Sequence, residues 1–348
     1  MIVISFLPLV LELFLVSAAF INLFLLGSFL KPPSKLFISI LFYIGILFAC
    51  ASIIVGGISV VAMIVKVLFF VIAIAYSIRK PEAARWWLIF SIVISLLAQA
   101  SVGNVLNKLS TLPFLMFACL WVITCTCVSS RELIILALAL GAECAQALVL
   151  ESRGLLLAVV MACGLLLCPL NLVRRAVVIC AILLPIVYPL VLKLVLTELL
   201  SGSEFLSATS SNFERSAMAS WCVDNFFSYP VIGPGSDLFA DEINTIMKIG
   251  QLAVNENYDP HQFFLSAWIW LGSSTVAILY IFWCYLWISN GWNCILITNP
   301  RVRVFSILAI QAILTFVLSP PDTAARVQVA MLTGIAIAGL RDPFIFRR

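Results

Sequence analysis

The chain has 348 residues, of which 64% are apolar and 10% are charged, and its mean hydropathy is +1.18. This composition excludes an ordinary soluble fold and predicts a protein that crosses a membrane several times. The formal net charge is only +4, and the basic residues are scattered between apolar runs, so no nucleic acid partner is expected. The sequence contains one histidine, so any site that needs an imidazole must use it.

A membrane-spanning helix needs about 20 mostly apolar residues, and the sequence offers eleven such runs. They lie at 2–30, 36–54, 58–77, 86–106, 112–129, 133–150, 154–171, 175–200, 263–288, 303–319 and 325–341. We therefore expect an all-α polytopic membrane protein with spans 1–8 in residues 1–200, a polar segment at 201–262, and spans 9–11 with a short tail at 263–348. The first run lacks the basic region of a signal peptide and is interpreted as a retained span.

The basic residues predict which side of the membrane each loop occupies. If the segment 201–262 is external, thirteen Lys or Arg residues lie inside and five lie outside. The five outer residues are Lys108, Arg153, Arg215, Lys248 and Arg326. Since basic residues concentrate in cytoplasmic loops, this distribution favours an external segment 201–262, an external N-terminus and a cytoplasmic C-terminus.

The cysteine pattern does not indicate a disulfide framework or a zinc site. Ten of the eleven cysteines lie in or beside apolar runs, and only Cys222 lies in the external segment. The pair Cys125 and Cys127 falls inside an apolar run, where a zinc site is not expected. We interpret the cysteines as small core residues.

The external segment is expected to contain two short amphipathic helices. Ser211 and Glu214 have the spacing of a capping box for the first helix, which Pro230 would end. Ser236 can cap the second helix. The string SYPVIGPGSDLF joins them, and its glycines could present N–H groups to a phosphate, although a plain turn is the more ordinary interpretation.

Three strings, in this order, resemble motifs of the O-antigen ligase and polymerase superfamily of bacterial membrane glycosyltransferases. The first is ESRG at 151–154, and the second runs from Arg215 through Trp221 to SYPVIGPGSDLF. The third is DPHQFFLSAWIWLGSST, in which His261 and Gln262 are followed by nine residues, a glycine, two residues and a threonine. This spacing fits the ligase pattern.

The chain departs from the family pattern in three ways. It has Gln262 where asparagine is commonest, it has eleven apolar runs where the family has twelve spans, and its external segment is short. These departures concern the acceptor and the N-terminal topology more than the class of reaction.

The resemblance implies a GT-C-like fold, placed in the bacterial inner membrane with the active loop on the periplasmic side. The donor would be a glycan linked to undecaprenyl pyrophosphate, and the acceptor a sugar hydroxyl of lipid A-core or of a growing glycan. The reaction would be an inverting glycosyl transfer that uses no metal, nucleotide or other cofactor, because the pyrophosphate is already a good leaving group. The partners that the resemblance implies are these substrates and the membrane lipids, and it leaves the oligomeric state open.

The resemblance also implies roles for individual residues. His261 is expected to be the catalytic base, with Asp259 or Glu256 orienting it, because an imidazole can accept a proton near neutral pH. Arg153 and Arg215 are expected to hold the pyrophosphate, because a guanidinium binds phosphate oxygens bidentately. The remaining residues assigned to substrate binding are Gly233, Gly235, Gln262 and Trp221, with Gly272 in a supporting role. The plainer interpretations are an ion pair of Arg215 with Glu214 or Asp224, a loop charge for Arg153 and a loop histidine without a role.

Charges inside the apolar runs need partners, because an unpaired charge in a bilayer costs at least about 2.5 kcal/mol. We expect Lys66 to pair with Glu143 or with Glu12. Lys193 lies near the end of its run and is expected to extend its ammonium group towards the interface.

Other functions remain open at this level. A polymerase that joins repeat units differs from a ligase only in its acceptor, and transfer of the glycan to a protein hydroxyl is a third possibility. A lipid-linked oligosaccharide flippase or other transporter is the alternative from another class, for which repeat symmetry and mid-membrane charges are typical. A purely structural membrane scaffold leaves the three motifs unexplained.

Overall fold

The computed structural model describes residues 63–100, 119, 130–149, 153–200, 210–249, 258, 260, 262–292, 301–318 and 323–342. Within these ranges the chain is helical and contains no strand, which confirms the all-α prediction. The runs predicted at 2–30 and 36–54, most of the run at 112–129, and Glu12 lie outside the described residues.

Ten helices are described within these ranges. They are α1 (63–79), α2 (Pro81–Ala100), α3 (Ser130–Val149), α4 (Arg153–Leu167), α5 (Leu170–Leu200), α6 (Ser210–Asn225), α7 (Ser236–Ile249), α8 (Phe263–Trp287), α9 (Arg301–Leu318) and α10 (Thr323–Arg341). A 3-10 turn, Phe226–Ser228, follows α6, and a π-helical turn, Ile288–Trp292, follows α8. The two helices predicted in the external segment are thus α6 and α7.

The break between α4 and α5 lies earlier than the sequence predicts. The apolar runs 154–171 and 175–200 suggest a link beside Arg174, but α5 already begins at Leu170 and contains this arginine, which is buried. Pro169 stands at the actual break, where its ring prevents α4 from continuing.

The chain forms two compact units, each built from separate segments. Of the described residues, those within Leu68–Ala181 and Tyr285–Arg348 belong to the first unit, and those within Leu30–Val67 and Ile182–Cys284 belong to the second. In the first unit, α10 packs against α9 and α2, while α4 packs against α9 and α3. Glycine permits the closest approach there, since a Cβ atom on Gly339 would lie 2.1 Å from the ring of Phe305.

Two pairs of buried polar side chains lie in the first unit. Gln311 donates a hydrogen bond through Nε2 to the Glu143 carboxylate (3.0 Å), and Gln328 donates to the Ser91 hydroxyl (2.8 Å). Lys66 was the predicted partner of Glu143, but its side chain is exposed, and the hydrogen bond comes from the amide of Gln311. An amide can satisfy a buried carboxyl oxygen without a second buried charge.

Two of the described helices are long and apolar enough to cross a membrane, by length and composition. They are Leu172–Thr197 in α5 and Phe263–Asn290, which covers α8. Shorter apolar helices lie at Ile134–Leu148, Leu156–Leu167 and Val327–Arg341. Two such helices are a weak indication of membrane association, and the topology of eleven spans stays a prediction.

Candidate site around an interrupted helix

The helix α8 is interrupted at Gly272, in the second unit. The φ of this residue is 72° and its ψ is 171°, a conformation that is essentially restricted to glycine. The interruption removes the helical hydrogen-bond partners of the residues on both sides. Carbonyl groups before Gly272 and amide groups after it therefore need partners from another segment.

The turn 229–235 supplies these partners. The N–H groups of Gly235 and Gly233 donate to the carbonyls of Ile269 (2.9 Å) and Trp270 (3.4 Å), while those of Ser273 and Ser274 donate to the carbonyls of Tyr229 (2.9 Å) and Pro230 (3.0 Å). We call residues 229–235 and 269–274 the seam. Two of the strings that resemble the glycosyltransferase family thus form one hydrogen-bonded backbone structure.

The glycines of the seam are explained by its packing. A Cβ atom on Gly233 would lie 2.1 Å from the carbonyl oxygen of Ile269, and one on Gly272 would lie 2.8 Å from that of Tyr229. Gly235 has open space around it but a φ of 81°. The N–H groups of Gly233 and Gly235 both donate to α8, so the plain-turn interpretation is favoured over a phosphate cradle formed by these two amides.

Trp221 belongs to an aromatic cluster that covers one side of the seam. Its ring centroid lies 5.4 Å from that of Phe239 on α7, 5.8 Å from that of Trp268 on α8 and 6.4 Å from that of Tyr229. The indole of Trp268 donates a hydrogen bond to the carbonyl of Phe226 (3.1 Å). The cluster joins α6, α7 and α8, because aromatic rings at these separations attract each other.

Arg215 lies in the second turn of α6 with its side chain half-buried. Its Nε is buried and has no hydrogen-bond partner among the described residues. Its charge acts on Glu214 and on the phenol of Tyr188 in α5. Burial raises the pKa of Glu214, and the positive charge of Arg215 opposes this shift only in part. A buried guanidinium donor without a protein partner is suited to bind an anion.

The second basic residue of this region is already paired. Lys193 on α5 forms a salt bridge with Asp224 near the end of α6, and Ser220 donates a weak hydrogen bond to the same carboxylate (3.4 Å). The salt bridge of Asp224 is therefore formed with Lys193, not with Arg215. The expected extension of Lys193 towards the membrane interface stays a prediction.

The residues that flank His261 are held by neighbouring helices. Tyr258 donates a hydrogen bond through its hydroxyl to Asn244 on α7 (2.7 Å), and Pro260 is buried. Gln262 is 1% exposed, and its Nε2 donates to the carbonyl of Pro185 on α5 (2.6 Å). His261, Asp259 and Glu256 themselves lie outside the described residues.

The structure brings most of the predicted site residues into the second unit. Those described there are Arg215, Trp221, Gly233, Gly235, Gln262 and Gly272. Arg153 is the first residue of α4, in the first unit, and its side chain lies outside the described residues. Sequence reasoning missed the contact of Gln262 with α5. The sequence signal for this contact is the four-residue spacing of Pro185 and Pro189. Because Pro189 has no N–H group, the carbonyl of Pro185 lacks its helical donor.

Within the described ranges, no three His, Cys, Asp or Glu side chains are grouped so that they could hold a metal ion. Comparison with known proteins gives no match for the chain among family models, curated proteins or solved structures.

Proposed function

We propose that the protein is a multi-pass enzyme of the bacterial inner membrane that transfers a glycan from undecaprenyl pyrophosphate to a sugar hydroxyl of lipid A-core. The reaction takes place at the periplasmic face, and the enzyme is an O-antigen ligase. Two kinds of observation support this proposal: the three sequence motifs with their order and spacing, and the surroundings of Arg215 in the second unit.

The surface of α5 supports the membrane location. Eight large apolar side chains of this helix are between 43% and 67% exposed. They are Leu172, Ile179, Leu183, Ile186, Val187, Leu190, Val191 and Leu194. Most recur at intervals of three or four residues and so form one helix face, which is too long and too apolar for a surface in contact with water.

The seam also agrees with a membrane location. Gly272 lies inside the apolar helix Phe263–Asn290, and unsatisfied backbone groups inside a membrane-spanning helix are costly. Interrupted helices inside membranes occur where the freed backbone groups are buried in protein or line a cavity. Here the turn 229–235 satisfies four of these groups.

The observation that carries the proposal is the half-buried guanidinium of Arg215, which stands in the second motif and whose Nε has no hydrogen-bond partner among the described residues. The accessible part of this guanidinium can bind a pyrophosphate oxygen, and the leaving group of the proposed reaction is a pyrophosphate. For Arg153, a role in pyrophosphate binding rests on the ESRG motif alone.

The proposed step is a direct displacement with inversion. His261 removes the proton from the acceptor hydroxyl, the oxygen forms a bond to the anomeric carbon, and the bond from that carbon to the phosphate oxygen breaks. Undecaprenyl pyrophosphate leaves with the electron pair, and the arginines stabilise its negative charge. No general acid is required at the leaving oxygen.

Deletion of the gene tests the proposal, with lipopolysaccharide separated on a gel. A ligase predicts core without O-antigen together with free lipid-linked polymer, whereas a polymerase predicts core that carries a single repeat unit. Complementation with His261→Ala, Arg153→Ala or Arg215→Ala is expected to fail, and Gln328→Ala, a buried change in the first unit, is the matched control. Restoration of the normal ladder by all three site variants would show that the proposed site is wrong.

A further inference from the structure

We propose that Gln262 is a positioning residue for His261, because its amide fixes the start of α8 to α5. The proposal rests on the proposed function in one respect, the role of His261 as the base. It assigns to Gln262 a task other than the substrate contact expected from the motif.

The first step of the argument is the backbone of α5. This helix contains Pro185 and Pro189, four residues apart. In an α-helix the carbonyl of residue 185 accepts a hydrogen bond from the N–H of residue 189, but proline has no N–H. The carbonyl of Pro185 therefore lacks its helical partner and needs another donor, since a buried carbonyl without one is costly.

Gln262 provides this donor. Its Nε2 lies 2.6 Å from the carbonyl oxygen of Pro185, and its side chain is 1% exposed. Because a carbonyl can only accept, the NH₂ end of the amide must face Pro185, which fixes the orientation of the side chain. The Nε2 group is therefore occupied, while Oε1 is buried and has no hydrogen-bond partner among the described residues, so a glycan does not reach this amide without a rearrangement.

The consequence for His261 follows from the chain. His261 directly precedes Gln262, and the other side of the short segment is held by the hydrogen bond from Tyr258 to Asn244. Tyr258 is thus attached to α7 and Gln262 to α5. Loss of the Gln262 contact releases the residue that follows His261 in the chain, and we expect the base to be placed less accurately for proton transfer.

The first experiment measures the reactivity of His261 itself. Since the chain has one histidine, carbethoxylation by diethylpyrocarbonate, followed at 240 nm in protein purified without a histidine tag, reports on this residue alone. Gln262→Met keeps the length of the side chain and removes the donor. We expect it to speed modification about fivefold, the factor that one net hydrogen bond represents. Gln328→Met, which removes a comparable buried amide in the first unit, is expected to leave the rate unchanged.

Pro189→Ala separates positioning from simple destabilisation. In the Gln262→Met background it restores an N–H for the carbonyl of Pro185, so thermal stability should recover. The fast modification of His261 should persist, because the link between α5 and α8 is still missing. If modification returns to the wild-type rate together with stability, Gln262 only satisfies a carbonyl and the proposal is wrong.

Kinetics of glycan transfer provide the third measurement. A positioning role predicts that Gln262→Met lowers kcat about tenfold or more with little change in the KM for the lipid-linked donor or the acceptor. A rise in KM with unchanged kcat would identify a substrate contact and overturn the proposal. Should the wild-type protein transfer no glycan, the proposed function fails, whereas the two measurements without substrate still decide whether Gln262 positions His261.

Discussion

Buried amide side chains of the two units have different partners. In the first unit, the amides of Gln311 and Gln328 donate to the side chains of Glu143 and Ser91. In the second unit, the amide of Gln262 and the indole of Trp268 donate to the backbone carbonyls of Pro185 and Phe226.

Three closely packed glycines show a comparable difference between the units. Gly339 admits the side chain of Phe305 in the first unit, whereas Gly233 and Gly272 admit the backbone of another segment in the second. A contact between side chains can be replaced by another pair of similar size, but a freed backbone group needs a donor or acceptor at a fixed place. We therefore expect substitutions in the second unit to affect function most.

The largest expected effect is on glycan transfer. Arg215→Ala should lower kcat/KM about 100-fold, the loss typical for one donor that stabilises charge in a transition state. Arg215→Lys should recover only part of the activity, because an ammonium group lacks the bidentate fork. Lys193→Met, which removes the paired basic residue of the same unit, is the control and should retain transfer. If Arg215→Ala, Arg215→Lys and Lys193→Met are equally active, Arg215 and Lys193 do not differ in function as expected.

A substitution in the seam should have the largest effect on stability. Gly272→Ala forces a Cβ into a glycine-only conformation, 2.8 Å from the carbonyl oxygen of Tyr229. We expect the free energy of unfolding to fall by about 2–3 kcal/mol. Gly164→Ala on α4 has open space and helical geometry, and it should raise stability by up to about 1 kcal/mol. Thermal unfolding in detergent measures both, and similar results at the two positions would contradict the distinction between the units.

The buried carboxyl of the first unit should tolerate replacement by an amide. Glu143→Gln keeps a carbonyl oxygen for the hydrogen bond from Gln311, and we expect stability to change by less than about 1 kcal/mol with transfer retained. Glu143→Ala leaves the amide of Gln311 without this acceptor and should cost about 2 kcal/mol. Loss of transfer in the stable Glu143→Gln variant would assign this carboxyl a chemical role.

The smallest effect is expected at Glu214, whose pKa burial raises. A carboxyl with a raised pKa in the folded state stabilises the fold only while it is protonated, so its contribution is lost as the pH rises through the folded pKa. Glu214→Gln should therefore be slightly more stable than the wild type at neutral pH, by about a few tenths of a kcal/mol after solvent screening. The difference should vanish below about pH 4, near the ordinary pKa of glutamate. Unfolding midpoints across this pH range test the sign.

Local sequence signals predicted the elements of the second unit well. Ser211, Glu214 and Pro230 indicated a helix that the structure places at Ser210–Asn225, and Ser236 indicated the one at Ser236–Ile249. These predictions work because caps and prolines act over one helical turn.

Contacts between distant segments could not be predicted from the sequence. The pair of Lys193 with Asp224 joins residues 31 positions apart, and that of Gln311 with Glu143 joins residues 168 apart. The glycines of the seam were visible as a motif, but their reason was not, because Gly233 and Gly272 are required by each other's segments. For the contact of Gln262 with Pro185, the sequence shows a missing N–H in α5 but not the residue that replaces it.

The seam also has a consequence for biosynthesis. The turn 229–235 is synthesised before residues 269–274, so it is available when the helix that needs its backbone groups is made. The interrupted helix therefore forms these four hydrogen bonds with a segment that was synthesised before it. In a nascent chain without the turn, α8 would enter the membrane with these four backbone groups unsatisfied. We expect cellular quality control to recognise such a chain as misfolded.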